Sequence, residues 1–194
     1  MRKRLERFRA YLEVSSALEI ARRLLVMNAF DGVLTLIGVV VGAHFSGVTD
    51  PKVVITAGIG GSIAMGISGA SGAYLAERAE RRRDLKKLEA AMLRSLDDSQ
   101  YARASKAAIV AIALVDGLSP AAAASLVVMP YFLLPILGLT IDTAFYASLL
   151  VGLAVLFVLG TFLARVSDER PVFSGIQMIL VGIVTIIIVG LLSR

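Results

Sequence analysis

Residues 24–45 read LLVMNAFDGVLTLIGVVVGAHF, and this stretch decides the class of fold. Asp31 is its only acidic residue, and no lysine or arginine interrupts it. An α-helix of this length, at 1.5 Å per residue, is long enough to cross the ~30 Å hydrocarbon core of a bilayer. The stretch therefore predicts a transmembrane helix.

The rest of the chain continues this pattern of long apolar blocks separated by charged segments. Hydrophobic residues make up 57% of the 194 residues, whereas soluble domains usually contain about 45–50%. A small soluble domain cannot bury this excess, because much of its chain lies at the surface. We therefore predict an all-α integral membrane protein with five transmembrane helices. The four further spans are 53–75, a kinked span from 107 to near Met129 or Tyr131, 143–166 and 173–192.

Two polar segments complete the predicted organisation. Residues 1–23 carry seven lysines and arginines beside a partial apolar stripe, which is typical of an amphipathic helix on the membrane surface. Residues 76–106, here called the charged segment, are expected to continue span two out of the membrane as a helix and to turn near residues 97–99. The chain divides into the N-terminal helix at 1–23, spans one and two at 24–75, the charged segment at 76–106, and spans three to five at 107–194.

The distribution of basic residues predicts the orientation. Eighteen of the 20 lysines and arginines lie on the side of the N-terminus and the charged segment, against Lys52 and Arg194 on the other side. By the positive-inside rule, the N-terminus is cytoplasmic and the C-terminus is outside. Since the N-terminus lacks the features of a signal peptide, we expect a multi-pass protein of a prokaryotic plasma membrane. The basic residues flank spans, so membrane lipids rather than nucleic acid are the expected partners.

Two residue types limit the chemistry. The sequence has no cysteine, and His44 is its only histidine. Thiolate metal sites, cysteine nucleophiles and histidine clusters are therefore excluded. An intramembrane enzyme acting on lipids would need a histidine–acid or multi-aspartate constellation, which is absent from the sequence. We predict that the protein is not an enzyme.

Asp31 is the most informative residue. It lies eight residues beyond Arg23, about 12 Å along the helix. A carboxylate at this depth costs at least ~2.5–3.5 kcal/mol, and such residues usually face the bundle interior and serve function. We interpret Asp31 as an ion ligand or proton carrier. The alternative is a structural carboxylate bonded to a neighbouring hydroxyl or lying at the interface.

Asp116 is a second candidate metal ligand in span three. It lies ten residues beyond Lys106, about 15 Å along a helix that enters from the same side as span one. Two carboxylates at one depth repel each other unless a cation or a shared proton lies between them. The alternative is that Asp116 caps a helix that restarts at Leu118-Ser119-Pro120.

Four further residues are weaker metal-ligand candidates. Met65 offers a thioether, although a methionine in an apolar helix usually serves packing. Glu77, Glu80 and Asp84 share one helical face in the charged segment, where an acidic surface would collect metal. The alternative for these three is a solvated face of salt bridges, such as Glu77 with Arg81.

Two stretches resemble the vacuolar iron transporter family. They are AFDGVLTLIGVVVGA at 29–43 and ISGASGAYLAERAE at 67–80. The resemblance implies a homodimer that exports Fe²⁺ or Mn²⁺ from the cytosol in exchange for protons, with the metal as transported substrate and no cofactor. It also implies that Asp31 is the transport aspartate and that Glu80 belongs to the metal-collecting helices.

The sequence departs from the family at three places. The pore methionine of the family falls on Gly69, a frequent glutamate falls on Ala73, and the charged segment is shorter than the family's three-helix metal-binding domain. The alternative function is therefore a non-transporting membrane scaffold or regulator that retains the transporter fold.

For the homodimer, we predict an interface of small residues in the first two spans, at Gly38, Gly42, Gly58 and Gly66.

Overall fold

The structure, a computed structural model, describes residues 17–97, 99–138, 140–166 and 169–193. Within these ranges it is helical and contains no strand. The helices are α1 (Ala17–Phe45), α2 (Pro51–Met92), α3 (Gln100–Leu137), α4 (Ile141–Val166) and α5 (Pro171–Leu192).

All five helices in the described part of the chain are long and apolar enough to span a membrane. This confirms the prediction of an all-α integral membrane protein with five spans. Helix α2 has 42 residues, about 63 Å of helix, which is twice the length that the hydrocarbon core requires. The charged segment therefore begins as a direct continuation of span two.

The ends of the helices follow local sequence signals. Pro51 is the first residue of α2, as predicted, and the Asp50 carboxylate accepts a hydrogen bond from the Lys52 N–H at 2.9 Å. Helix α2 ends at Met92, five residues before the turn predicted at residues 97–99, and the Ser99 hydroxyl caps α3 by accepting from the Ala102 N–H at 3.1 Å. Gly47, with φ of 75°, ends α1 in the left-handed conformation common after helices.

Two predicted boundaries differ from the structure. Residues 17–23 form the start of α1 and not part of a separate surface helix, while residues 1–16 lie outside the described residues. Span three does not end near Met129 or Tyr131, because α3 continues to Leu137 with Pro120, Pro130 and Pro135 inside it. Prolines are tolerated in membrane helices, where neighbouring groups satisfy the freed backbone groups.

The chain forms two compact units, which are described separately. The first unit comprises the described residues up to Leu25 together with Gly66–Leu118, and Ala108 and Ile112 are its buried centre. The second unit comprises Val26–Met65 and the described residues from Ser119 onwards. Its larger core has the fully buried side chains Val33, Leu36, Ile37, Val127, Val128 and Leu156.

The glycines predicted to form a dimer interface have neighbours within the same chain. A Cβ on Gly58 would lie 2.5 Å from Val128 Cγ2, so α3 already covers this glycine. Gly38 and Gly42 both face Val189 of α5. The carbonyl of Gly66 would lie 2.6 Å from a Cβ on Gly117. Small residues also allow close packing between helices of one chain. The predicted interface is therefore wrong at Gly58, and at Gly38, Gly42 and Gly66, which are half-buried, it stays a prediction.

The predicted topology can be checked by labelling cysteines from each side of the membrane. The parent sequence has no cysteine to give background labelling. Ser95→Cys lies in the turn between α2 and α3, and Ser193→Cys lies beyond α5. A membrane-impermeant maleimide applied to intact cells should label only the second variant. Labelling of both, or of the first alone, would contradict the orientation.

Candidate metal-binding site

Asp31 lies in α1, and its carboxylate is exposed on the surface of the single chain. The next two residues, Gly32 and Val33, are buried. The prediction that Asp31 faces the bundle interior is therefore wrong for one chain. The reason is that apolar residues of the same helix, such as Leu36 and Ile37, fill the core.

A close contact between helices fixes this orientation. A Cβ on Gly32 would lie 2.8 Å from the Cα of Pro120 in α3, and closer still to the carbonyl oxygen of Pro120. Only glycine allows two backbones to approach in this way. Successive residues of an α-helix are rotated by about 100°, so the side chain preceding Gly32 points away from the contact. Gly32 thereby holds Asp31 outward.

Two side chains share the exposed face of Asp31. Met27 lies four residues before it and is 56% exposed, and Thr35 lies four residues after it and is also exposed. Residues four apart lie on the same side of a helix. Carboxylate, hydroxyl and thioether donors therefore line one strip of α1. Met27 and Thr35 were not among the predicted site residues, although their spacing from Asp31 was the signal in the sequence.

Met65 also belongs to the second unit, but its position differs from that of Met27. Its side chain is half-buried and packs against the apolar core of that unit. This is the packing role that a methionine in an apolar helix usually has. Its role as a metal ligand stays a prediction.

Asp116 lies inside α3, which continues through residues 116–120 without interruption. The alternative that Asp116 caps a restarting helix is therefore wrong. The next residue, Gly117, packs against α2 within the first unit, where its Cβ would lie 2.8 Å from the Cβ of Ala70. In both Asp-Gly pairs the glycine allows a close helix contact beside the acid.

The carboxylate of Asp116 lies beside Gly69. A Cβ on Gly69 would lie 3.0 Å from Asp116 Oδ2 and 2.9 Å from the Asp116 carbonyl oxygen. A longer side chain at position 69 would therefore collide with Asp116. The space next to this glycine holds a carboxylate oxygen.

The acidic residues of the charged segment form salt bridges within their helix. Glu77 Oε2 accepts from Arg81 Nε at 2.9 Å, with the two side chains 14% and 10% exposed. Asp84 lies 3.5 Å from Lys87 Nζ in a more exposed pair. Glu80 is exposed. The Glu77–Arg81 salt bridge agrees with the alternative of a salt-bridged face, and metal collection by these residues stays a prediction.

The predicted site residues are distributed over both compact units. Asp31 and Met65 belong to the second unit, and Asp116, Glu77, Glu80 and Asp84 belong to the first. In the described part of the chain, no group of three or more His, Asp or Glu side chains is arranged to hold a metal ion.

Comparison with known proteins identifies the family. A sequence profile described as the VIT family matches residues 22–127 and 80–194, which together extend over both units and all five helices. The chain belongs to the VIT family. It is also 37% identical over 164 residues to an uncharacterized protein of Methanocaldococcus jannaschii, covering 83% of this chain and 82% of that protein.

Membership of the VIT family supports the resemblance drawn from the two sequence stretches. The first matched range includes the Asp31-Gly32 pair as well as Gly69 and Ala73. The departures at Gly69 and Ala73 therefore lie within a range that the family profile matches. Ala73 is half-buried and packs against the centre of the first unit.

Proposed function

We propose that this VIT-family membrane protein exports Fe²⁺ or Mn²⁺ from the cytoplasm in exchange for protons, across the plasma membrane, with its N-terminus inside. The observation that carries the proposal is the exposed carboxylate of Asp31 within an apolar span. Facing lipid, an ionised carboxylate costs at least ~2.5–3.5 kcal/mol. A transported cation or a proton offsets this cost.

The donors around Asp31 suit this exchange. Carboxylate and hydroxyl oxygens are typical ligands of Mn²⁺, while the thioether of Met27 is a softer donor. A carboxylate binds a divalent ion in its deprotonated form, so metal and proton compete for the same oxygens. Binding of one and release of the other at Asp31 couples their movements in opposite directions.

The side chain next to Gly69 supports a preference for Mn²⁺. In the family resemblance this position holds a methionine, whereas here Asp116 places a carboxylate oxygen beside the glycine. Replacement of a thioether by a carboxylate favours harder, oxygen-liking ions. We therefore expect faster transport of Mn²⁺ than of Fe²⁺.

We infer that a second copy of the chain covers Asp31. The exposed faces of the other helices are lined by large apolar side chains, for example Met129 in α3 and Leu180 in α5. The exposed residues of α2 also include large side chains, such as Ile63 and Ile67, but Gly60 and Ala64 leave space beside them, and a Cβ on Gly60 would meet no atom within 4 Å. Small residues with open space around them favour close packing of a further helix.

A bulky residue on this face should weaken the homodimer. Ala64→Leu adds volume where we expect the partner's backbone to approach. The matched control is Ala154→Leu in α4, because Ala154 is exposed between Leu150 and Val158, which are 72% and 61% exposed. Cross-linking in lipid should give less dimer than in the parent for Ala64→Leu, and as much dimer as in the parent for Ala154→Leu. Equal dimer in both would place the interface elsewhere.

The alternative function is a non-transporting scaffold, and the replacements at Gly69 and Ala73 favour it. Metal uptake by purified protein in proteoliposomes, with a pH dye inside, separates the two functions. We expect Mn²⁺ entry accompanied by proton exit, and neither in protein-free vesicles. Metal entry with no proton movement would contradict exchange but not transport. Absence of entry for both Mn²⁺ and Fe²⁺ would favour the scaffold.

A further inference from the structure

A basic cavity lies between α2 and α3 in the first unit, separate from the strip around Asp31. Its volume is about 480 Å³. Arg78, Arg81, Arg82 and Lys106 line it, and among the residues that the structure describes Asp97 is the one acidic lining residue. Even with Arg81 neutralised by Glu77, cationic groups outnumber acidic ones. This charge repels a divalent metal and attracts an anion.

A buried hydroxyl provides a second, independent observation. Ser105 lines the cavity and is 6% exposed, yet its Oγ has no hydrogen-bond partner among the residues that the structure describes. Ser62 and Ser125 behave differently, because each donates at 2.7 Å to the carbonyl four residues earlier in its helix. A buried hydroxyl without a partner costs free energy. Ser105 therefore has an unused hydrogen-bond donor in the wall of the cavity.

The remaining lining residues are apolar or aromatic, and some of them lie where the apolar parts of α2 and α3 end. Tyr74 lies at the end of the apolar part of α2, and Lys106 immediately precedes the apolar part of α3. Val110 also lines the cavity and is 50% exposed on the outside of the chain. The cavity thus combines cationic groups with an apolar wall at the level where two spans leave the bilayer. Basic pockets of this kind between transmembrane helices bind lipid headgroups.

We propose that this cavity binds the phosphate headgroup of an anionic phospholipid. Arg78, Arg82 and Lys106 contact the phosphate oxygens, Ser105 donates a hydrogen bond to one of them, and an acyl chain lies along Tyr74 and Val110. A soluble phosphate compound would use the same cationic groups but leave the apolar wall uncovered. This proposal is independent of whether the protein transports metal.

The test is lipid binding by the full-length protein in detergent, measured by native mass spectrometry. Each basic side chain contributes roughly fivefold to binding an anionic lipid surface. Arg78→Gln/Arg82→Gln should therefore weaken binding of dioleoyl phosphatidylglycerol about twenty-five-fold. Arg83→Gln/Arg103→Gln is the matched control, because it removes the same charge from exposed positions outside this cavity. This control variant should bind dioleoyl phosphatidylglycerol as tightly as the parent does.

Ser105→Ala provides a second variant that removes only a buried hydroxyl and is expected to fold. It should weaken phosphatidylglycerol binding about tenfold or more, the value of one hydrogen bond to a charged group. Equal binding by parent, double variant and Ser105→Ala would overturn the proposal, as would equal weakening in the matched control. Binding of phosphatidylcholine as tight as that of phosphatidylglycerol would exclude recognition of an anion. Glycerol 3-phosphate binding as tightly as the lipid would assign the cavity to a soluble phosphate.

Discussion

Gly32→Ala is expected to destabilise the protein strongly, although one methyl group is the entire change. The added Cβ would lie 2.8 Å from the Cα of Pro120 and closer to its carbonyl oxygen. Both contacts are backbone atoms, which cannot rotate away as a side chain can. Helices α1 and α3 would have to separate, and overpacking of this kind costs about 1–3 kcal/mol.

Gly42→Ala in the same helix is the matched control for this prediction. A Cβ there would make ordinary contacts, 3.8 Å from Val189 and 3.9 Å from Ser193. Alanine is also favoured over glycine in helices, by about 1 kcal/mol. In detergent we expect the melting temperature to fall for Gly32→Ala and to stay equal or rise for Gly42→Ala. Equal melting of the two variants would show that the contact with Pro120 does not constrain α1.

Asp31→Asn is expected to abolish metal transport while leaving the fold intact. The change keeps the size of the side chain and one carbonyl oxygen but removes the negative charge. It also removes a charge that is costly inside a membrane, so thermal stability and dimerisation should be unchanged or improved. Mn²⁺ entry into proteoliposomes should fall to the level of protein-free vesicles.

Asp142→Asn controls for the loss of an exposed carboxylate elsewhere. Asp142 lies in the first turn of α4, with its carboxylate 3.9 Å from His44 Nδ1. We expect the Asp142→Asn variant to transport Mn²⁺ at the rate of the parent. If Asp31→Asn transports as well as the Asp142 variant does, Asp31 is not the transport residue.

The number of spans could be predicted because length and hydropathy are local properties. Each apolar block is long enough to cross a bilayer by itself, and the membrane imposes the helix. The start of α2 at Pro51 and a break in the helix before Gln100 followed from equally local signals. The end of α3 could not be predicted from such signals. Pro130 and Pro135 usually end a helix in a soluble protein, but here they lie inside one.

The orientation of the helices about their axes could not be predicted in the same way. Both α1 and α2 carry small residues on several faces, and the sequence does not say which neighbour covers each face. Gly58 was expected to meet a second chain but meets Val128 of its own chain. Asp31 was expected to face inward but is exposed. In both cases the decisive partner lies in α3, about 70–90 residues away along the chain.

Asp116 illustrates a different limit of sequence reasoning. The residues Asp-Gly-Leu-Ser-Pro at 116–120 fit a helix cap as well as an uninterrupted membrane helix. Continuity is favoured inside a membrane, where an interrupted helix exposes backbone groups that water cannot solvate. The proximity of Asp116 to Gly69 depends on the packing of α2 against α3. A local sequence pattern therefore cannot predict it.

Equilibrium binding of Mn²⁺ tests most directly whether Asp31 binds the transported ion. Parent and Asp31→Asn protein in detergent are titrated with Mn²⁺, and the free ion is followed by its paramagnetic resonance signal. We predict that the parent binds additional Mn²⁺ that the variant does not bind. This difference should shrink as the pH falls, because protons compete for the carboxylate. Identical binding curves for the two proteins at neutral pH would contradict the account.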